Sequence, residues 1–495
     1  MQVKISKNNP EQQKQEPTLK EKTAKGLFWG GMGNIIQQSI GMVFGIVIAR
    51  ILSPDDYGLI GMLAIFIAIA NTILDSGFTV ALTNKKEIRL EDYNAVFWFS
   101  VFVGIIMYVI LFFTAPFIAH FYGKPELTNL SRLLFLSFLI GSAGFAHHAM
   151  LFKKLMVKER VKIDIIAVFV SSVISLVLAL NGFAYWGLAV QSILYISTMV
   201  ILRWYYCPWR PTFNFDFKPI KAMIGFSSKL FFTHIFGQIS NNLLTVIIGK
   251  SYGEWQTGLY TQGYKWMTLG NNVVCGMINS IAQPVFVEAN EDKKRQLQIF
   301  RKMVRFGAFI SFPVLFGLAF IGKEFILITV GEKWLGSVPI LQLFCIYGGL
   351  NYTWTLYYQL LIACGKSKII MKYSITVSIL LLVVVLFMAK YGILYMLGAY
   401  LITYLISLGG WHYFAGKQIN LKLVHVLKDI FPYLLTTAGC FFIAWILTQN
   451  IQNIYILCGS KILIVATLYI LIMNYSGSII FRESLGFLLK QKEKQ

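Results

Sequence analysis

Between Gly26 and Tyr475 the chain is a succession of long apolar stretches separated by short polar ones. An α-helix rises about 1.5 Å per residue, so a stretch of about twenty residues crosses the roughly 30 Å hydrocarbon layer of a bilayer. Fourteen such runs are read, at 27–49, 58–82, 94–121, 127–151, 163–181, 185–206, 222–249, 258–282, 299–321, 337–363, 369–389, 392–414, 430–448 and 454–474; the third could also be divided in two. The alternating pattern of a membrane β-barrel is absent. Charged residues make up only 13% of the chain, against about a quarter in soluble proteins. The fold class is therefore an all-α polytopic membrane protein with about 14 transmembrane helices.

The basic residues predict the orientation. Of the 44 Lys and Arg, 34 lie before the first run or in the connections that follow even-numbered runs. These include Arg160, Arg203, Arg301 and Arg305. Only six, Arg50, Lys124, Lys250, Lys323, Lys333 and Lys390, lie in the opposite connections. Cation-rich connections stay cytoplasmic, so both termini are placed in the cytoplasm of a multi-pass protein. The net charge of +22 then reflects topology and attraction to anionic lipid, not nucleic acid. The first 25 residues are polar and lack a short apolar core, so the first run itself is expected to direct insertion. The six cysteines are scattered with no CxxC pair and read as small hydrophobes.

One stretch is echoed two hundred residues later. Ile48-Ala49-Arg50-Ile51-Leu52-Ser53-Pro54-Asp55-Asp56-Tyr57-Gly58-Leu59 corresponds to Ile248-Gly249-Lys250-Ser251-Tyr252-Gly253-Glu254-Trp255-Gln256-Thr257-Gly258-Leu259. Each is a helix end with a cation, a short polar turn, and a Gly-Leu that opens the next run. An offset of six runs makes two lobes of six helices in parallel repeat, with runs thirteen and fourteen as an added pair. The expected organisation is a polar N-terminal segment at 1–25, an N-terminal lobe at 26–210, a C-terminal lobe at 211–416, a helix pair at 417–480 and a basic tail at 481–495.

Residues three or four apart share a helix face. Run seven carries His234, Gln238, Asn241 and Thr245 on one stripe, and run one carries Asn34, Gln38, Gly41 and Gly45. Lys265, Thr268, Asn272 and Asn279 fall on one face of run eight, and Asn351, Thr355 and Gln359 on one face of run ten. An unpaired buried polar group costs roughly 1–3 kcal/mol. These stripes therefore face either other helices or a wet lumen. Arg132 and Lys229 lie inside runs four and seven near their ends, where they either snorkel or line the lumen. Arg50 and Lys250 close runs one and seven and suit helix C-termini. Asp75, on the face of Asn71, is a carboxylate within run two and a candidate ion-coupling site. His147 and His148, near the cytoplasmic end of run four, read as interfacial.

Catalytic signals are weak. Gly249-Lys250-Ser251 and Gly365-Lys366-Ser367 lack the earlier glycine of a phosphate loop, the positions being Leu244 and Leu360. HExxH does not occur, and no cofactor or metal is expected.

The run from Ala49 to Gly58, Asp75-Ser76-Gly77-Phe78, Ile248-Gly249-Lys250 with Gly258-Leu259-Tyr260, and Pro284-Val285-Phe286 resemble the Wzx-type polysaccharide flippases of lipopolysaccharide biosynthesis, within the MOP superfamily. The resemblance implies a MOP/MATE-like fold with two rocking lobes in a bacterial inner membrane. It implies transfer of an undecaprenyl-diphosphate-linked oligosaccharide, for O-antigen, capsule or exopolysaccharide, from the cytoplasmic to the outer leaflet. Many relatives carry an acid just before the second Gly-Lys; Asn241-Asn242-Leu243-Leu244-Thr245 has none.

With that substrate, the diphosphate needs counter-charge and the sugars need hydrogen-bond partners. Lys265, Arg132, Lys229 and Arg50 are the diphosphate candidates. Gln38, Gln238, Asn241 and Asn272 are the sugar candidates, and Asp75 is the residue for H⁺ or Na⁺ coupling. Membrane lipids and the lipid-linked oligosaccharide are the expected partners, with polysaccharide polymerase or assembly proteins as further candidates. The rival readings are a drug/cation antiporter, which favours a more acidic lumen, a peptidoglycan-precursor flippase, and a glycan polymerase or ligase, which favours a large outer loop.

Overall fold

A computed structural model describes residues 19–75, 89–154, 156–213, 218–478 and 480–483. Sixteen helices carry the argument. In the first half of the chain they are α1 (Leu19–Ile51), α2 (Pro54–Met62), α3 (Ala64–Asp75), α4 (Leu90–Tyr122), α5 (Glu126–Ser142), α6 (Phe145–Lys153), α7 (Val157–Leu180) and α8 (Ala184–Tyr206). Then come α9 (Lys218–Glu288), α10 (Lys293–Ser311), α11 (Gly322–Thr329), α12 (Val338–Ala363), α13 (Ser367–Met388), α14 (Ile393–Ile419), α15 (Leu423–Thr448) and α16 (Ile454–Tyr475). Among the described residues ten helices are long and apolar enough to cross a membrane, eleven when α5 and α6, bent by 47°, count as one broken span. Runs seven, eight and ten are helical too, as the two arms of α9 and as α12, but fall outside that ten. Runs eight and ten carry amide and hydroxyl stripes, which lower their hydropathy, and most side chains of the first half of run seven lie outside the described residues. The expected count of fourteen is therefore not reached on this measure.

The boundaries show what local chemistry does. Run three is one unbroken helix, α4, with Pro116 inside it. Ser53 caps α2: its hydroxyl accepts from the Asp56 amide, while the Asp56 carboxylate accepts from the Ser53 amide at 2.8 Å. With Pro54 at the first helical position, the turn between the first two runs is a true break. At the second copy of the motif the helical stretch α9 is interrupted between Ser251 and Gln256, so that it holds two helices. The interruption is at Gly253, whose φ of +80° suits a residue without Cβ. The expected short polar turn is here a kink inside α9. Between α10 and α11 a wide π turn spans Phe312–Phe316, beginning next to Pro313, whose missing amide hydrogen opens the ladder.

The chain forms two compact units. The first holds residues 1–45, 67–118 and 125–236; the second holds 46–66, 119–124 and 237–495. The first unit has a core that includes Tyr93, Phe97, Met150 and Trp209. The second has two cores. One, around Phe286, Phe300, Phe312, Tyr352 and Trp411, reaches Tyr433 and Tyr469 of α15 and α16, so the added pair is packed into this unit. The other gathers Trp266, Trp334, Phe344 and Met396 around Ala49 and Ile248.

Candidate functional site

The echoed stretch builds one feature of the second unit. Gly58 lies against the backbone of Glu254, and Gly258 against the backbone of Pro54. A Cβ on either glycine would collide with the facing carbonyl. Residues 54 and 254 are themselves repeat partners, so the contact has two-fold character at the backbone level. The cations follow the same symmetry. Arg50 donates through Nε to Thr329 O at 2.6 Å and through Nη2 to Ile328 O, at the C-terminal end of α11. Lys250 donates to Phe121 O at the end of α4. Each cation thus meets the negative end of a helix. Lys124 and Glu254 form an ion pair. Trp334 Nε1 donates to Ala49 O at 2.8 Å, and Lys333 Nζ to Arg50 O at 2.8 Å. Burial pulls the Glu254 carboxyl upward, but the Lys124 ammonium outweighs it and leaves the group below its ordinary value. At Lys333, burial lowers the ammonium. Arg50, a sequence candidate for diphosphate, therefore has its donors directed at main-chain carbonyls.

The stripes divide into two kinds. Asn351 Nδ2 donates to Asn271 Oδ1 at 3.3 Å, and Tyr404 Oη donates to Asn351 Oδ1 at 2.9 Å. Gln359 Nε2 donates to Asn279 Oδ1 at 2.8 Å, and Thr355 Oγ1 approaches Cys275 Sγ at 3.6 Å. These side chains join helices to one another. Asn241 and Asn272 instead stand exposed on α9, with no side-chain partner among the described residues. The Gln238 side chain, half-buried, likewise has none; only the main-chain carbonyl of Gln238 is engaged, accepting from Asn242 Nδ2 at 2.9 Å. In a helix otherwise packed or apolar, such amides need water or ligand hydroxyls. Lys265 is half-buried. Its Nζ lies 5.4 Å from the Trp266 ring centroid, and no carboxylate approaches it within 4 Å among the described residues. Such an ammonium is set to attract an anion.

In the first unit Gln38 is exposed on α1. Arg132 rests on the Phe112 ring at 4.3 Å, with Nε 3.5 Å from Phe112 O. The side chains of Asp75, Lys229 and His234 lie outside the described residues.

Several charged groups escaped the sequence reading. Arg160 and Arg203, which the sequence places in connections, sit inside α7 and α8, and Asp164 lies one turn beyond Arg160. The Arg160-x-x-x-Asp164 spacing was the signal available for them. Lys461 pairs with Glu324 at 2.6 Å, both side chains 10% exposed, with the ammonium 4.8 Å from the Phe320 ring centroid. Buried Asp429 accepts from Arg301 at 2.7 and 3.0 Å, with Arg305 at 3.7 Å. His147, expected at the membrane interface, is also enclosed by protein. It is fully buried, stacked on Trp204 at 4.7 Å and flanked by Phe97 and Trp209. The aromatic density of Phe97-Trp98 and Trp204 to Trp209 closes over that position.

The family model described as polysaccharide biosynthesis protein matches residues 47–339, a stretch containing both glycine turns and Lys265. The chain belongs to this family. It is 26% identical over 364 residues to the lipopolysaccharide biosynthesis protein WzxC of Escherichia coli strain K12, covering 72% of this chain and 73% of that one. It is 28% identical over 302 residues to the teichuronic acid biosynthesis protein TuaB of Bacillus subtilis strain 168, spanning 61% of this chain and 62% of TuaB. The succinoglycan biosynthesis transport protein ExoT of Rhizobium meliloti is 25% identical over 337 residues, 68% of each chain. Among solved structures, the lipid II flippase MurJ in an inward closed conformation superposes with a TM-score of 0.71. That match has 14% identity and covers 92% of this chain and 99% of MurJ. A MOP superfamily transporter from Pyrococcus furiosus gives 0.57 at 13% identity, over 82% and 99% of the two chains. At those identities the structures establish the MOP fold of this polysaccharide biosynthesis protein. Its named relatives are transport and biosynthesis proteins.

Proposed function

We propose that this chain is a flippase. It carries an undecaprenyl-diphosphate-linked oligosaccharide from the cytoplasmic to the outer leaflet of a bacterial inner membrane, with both termini in the cytoplasm. The carrying observation is the set of half-buried or exposed groups with no hydrogen-bond or ion-pair partner for their side chains among the described residues, Lys265, Asn241, Asn272 and Gln38, in a family of polysaccharide biosynthesis proteins. An isoprenoid tail is content in hydrocarbon, whereas bare phosphate transferred into it costs tens of kcal/mol in Born terms. Lys265 supplies counter-charge on the way, with Arg132 and Lys229 as further cations. The amides of Gln38, Gln238, Asn241 and Asn272 replace water around the sugars. Arg50 serves in this reading as part of the contact between the two glycine turns, which closes one end of the path. Separation of that contact opens it, and a proton or Na⁺ moving through Asp75 biases the exchange. Moving one charge across 100 mV is worth about 2.3 kcal/mol. Polysaccharide polymerase or assembly proteins receive the product.

Lipid-linked glycan profiling of a deletion strain tests this. The expected result is accumulation of one defined oligosaccharide-diphospholipid facing the cytoplasm, with loss of the surface polymer. An unchanged glycolipid pool would refute it. The MurJ fold likeness supports a second reading, transfer of a peptidoglycan precursor; that reading requires deletion to be lethal.

A further inference from the structure

The charged residues of α7 and α8 are not used by the reading above. The two helices form an antiparallel hairpin, turned at Asn181–Phe183 with Gly182 at φ +81°. Gln191 Nε2 donates to Ser172 Oγ at 3.2 Å, and a Cβ on Gly187 would lie 3.4 Å from Ser175 O. That register puts Arg203 level with Arg160 and Met199 level with Asp164. Arg160 and Asp164, four apart, share a face of α7.

The surroundings fix the guanidinium groups. Arg160 lies over the Phe152 ring at 4.8 Å. Arg203 reaches the break between α5 and α6, where a Cβ on Gly144 would lie 3.5 Å from Nη1. Asp164 sits in the field of Arg203 and then of Arg160, His148 shares that field, and Tyr195 lies in the field of Asp164 and Arg203. Yet among the described residues none of Arg160, Asp164 and Arg203 forms an ion pair within 4 Å. Both guanidinium groups act on one carboxylate, Asp164, and neither closes on it within 4 Å among the described residues. Guanidinium forks match phosphate oxygens in pairs, and two forks match two linked phosphates.

We infer that Arg160 and Arg203 form a diphosphate-binding site in the first unit, and that Asp164 is its built-in counter-charge, which the bound anion displaces. The site lies at the ends of α7 and α8 that adjoin the cation-rich connections. Under the proposed orientation it therefore receives the lipid diphosphate on the cytoplasmic side, before Lys265. The inference rests on the flippase reading for the identity of the anion only.

The full-length protein in nanodiscs of zwitterionic lipid, titrated with inorganic pyrophosphate, tests it. Arg203→Gln and Arg160→Gln are each expected to weaken binding at least tenfold, Arg203→Lys to retain part of it, and Asp164→Asn to tighten it severalfold. Wild-type affinity in Arg203→Gln would overturn the inference, as would weaker binding in Asp164→Asn at an unchanged thermal midpoint. Discs containing phosphatidylglycerol separate the two sources of phosphate. Undiminished pyrophosphate binding there assigns the site to the diphosphate; loss of it assigns the site to a phospholipid headgroup and overturns the substrate assignment. The two readings fail separately. Pyrophosphate binding lost in Arg203→Gln with glycolipid export intact in cells sinks the transport role and leaves the anion site standing. Normal binding with blocked export sinks the site and leaves the flippase.

Discussion

Gly58→Ala is the most informative single substitution. The new Cβ would meet the carbonyl oxygen, carbonyl carbon and Cα of Glu254. None of these can rotate aside as a side-chain tip can, so the two turns must move apart. Overpacking of this kind costs about 1–3 kcal/mol, a factor of roughly 5 to 150 in a two-state equilibrium. If the separated form holds about 1% of the wild-type population, the substitution raises it to between about 5% and 60%. Gly258→Ala strikes Pro54 from the other side and should act alike, whereas Gly41→Ala, with nothing within 4 Å of its Cβ, should not. Spin labels at Asp55→Cys and Ser251→Cys, one on each turn, read the separation as a distance distribution. The six native cysteines, buried or half-buried, compete little for label. A distribution in Gly58→Ala indistinguishable from that of Gly41→Ala would refute the packing argument.

The remaining expectations follow from charge. Lys265→Ala should abolish glycolipid transfer and Lys265→Arg retain part of it, at equal protein levels; a silent Lys265→Ala would leave Lys265 as packing only. Asp75→Asn should slow export without lowering protein in the membrane, and equal export would remove Asp75 from the mechanism. Breaking the buried pair by Lys461→Met should cost about 3–5 kcal/mol, read as a fall in thermal midpoint, while the double change with Glu324→Leu should restore most of it; an unaffected single mutant would contradict that. The Glu254 carboxyl is lower in the folded protein than in the unfolded chain, so the Lys124 pair stabilises above the unfolded value of about 4.3 and is lost as pH falls through the lower, folded value. The thermal midpoint should therefore fall on acidification through that range by more in the wild type than in Glu254→Gln; equal falls would contradict it.

The helical membrane class was legible because twenty-residue apolar runs leave the backbone no other solution. The repeat was legible because Gly58 and Gly258 each face a carbonyl and tolerate no Cβ. Other features need tertiary information. Whether Asn351 joins helices or faces water depends on Asn271 and Tyr404, which are distant in sequence. Arg160 and Arg203 look like ordinary flanking cations until the α7–α8 register brings them level. His147 looks interfacial until Trp204 and Trp209 fold over it. The π turn at Phe312–Phe316 has only Pro313 to announce it.

Purified protein reconstituted in liposomes with a fluorescent undecaprenyl-diphosphate oligosaccharide tests the central claim most directly, with a membrane-impermeant quencher reporting the outer leaflet. The account predicts that quenching proceeds beyond the outer-leaflet half with wild-type protein and stops at that half with Lys265→Ala. Quenching that stops at the same half in wild-type and protein-free vesicles, under an imposed proton or Na⁺ gradient, would contradict it.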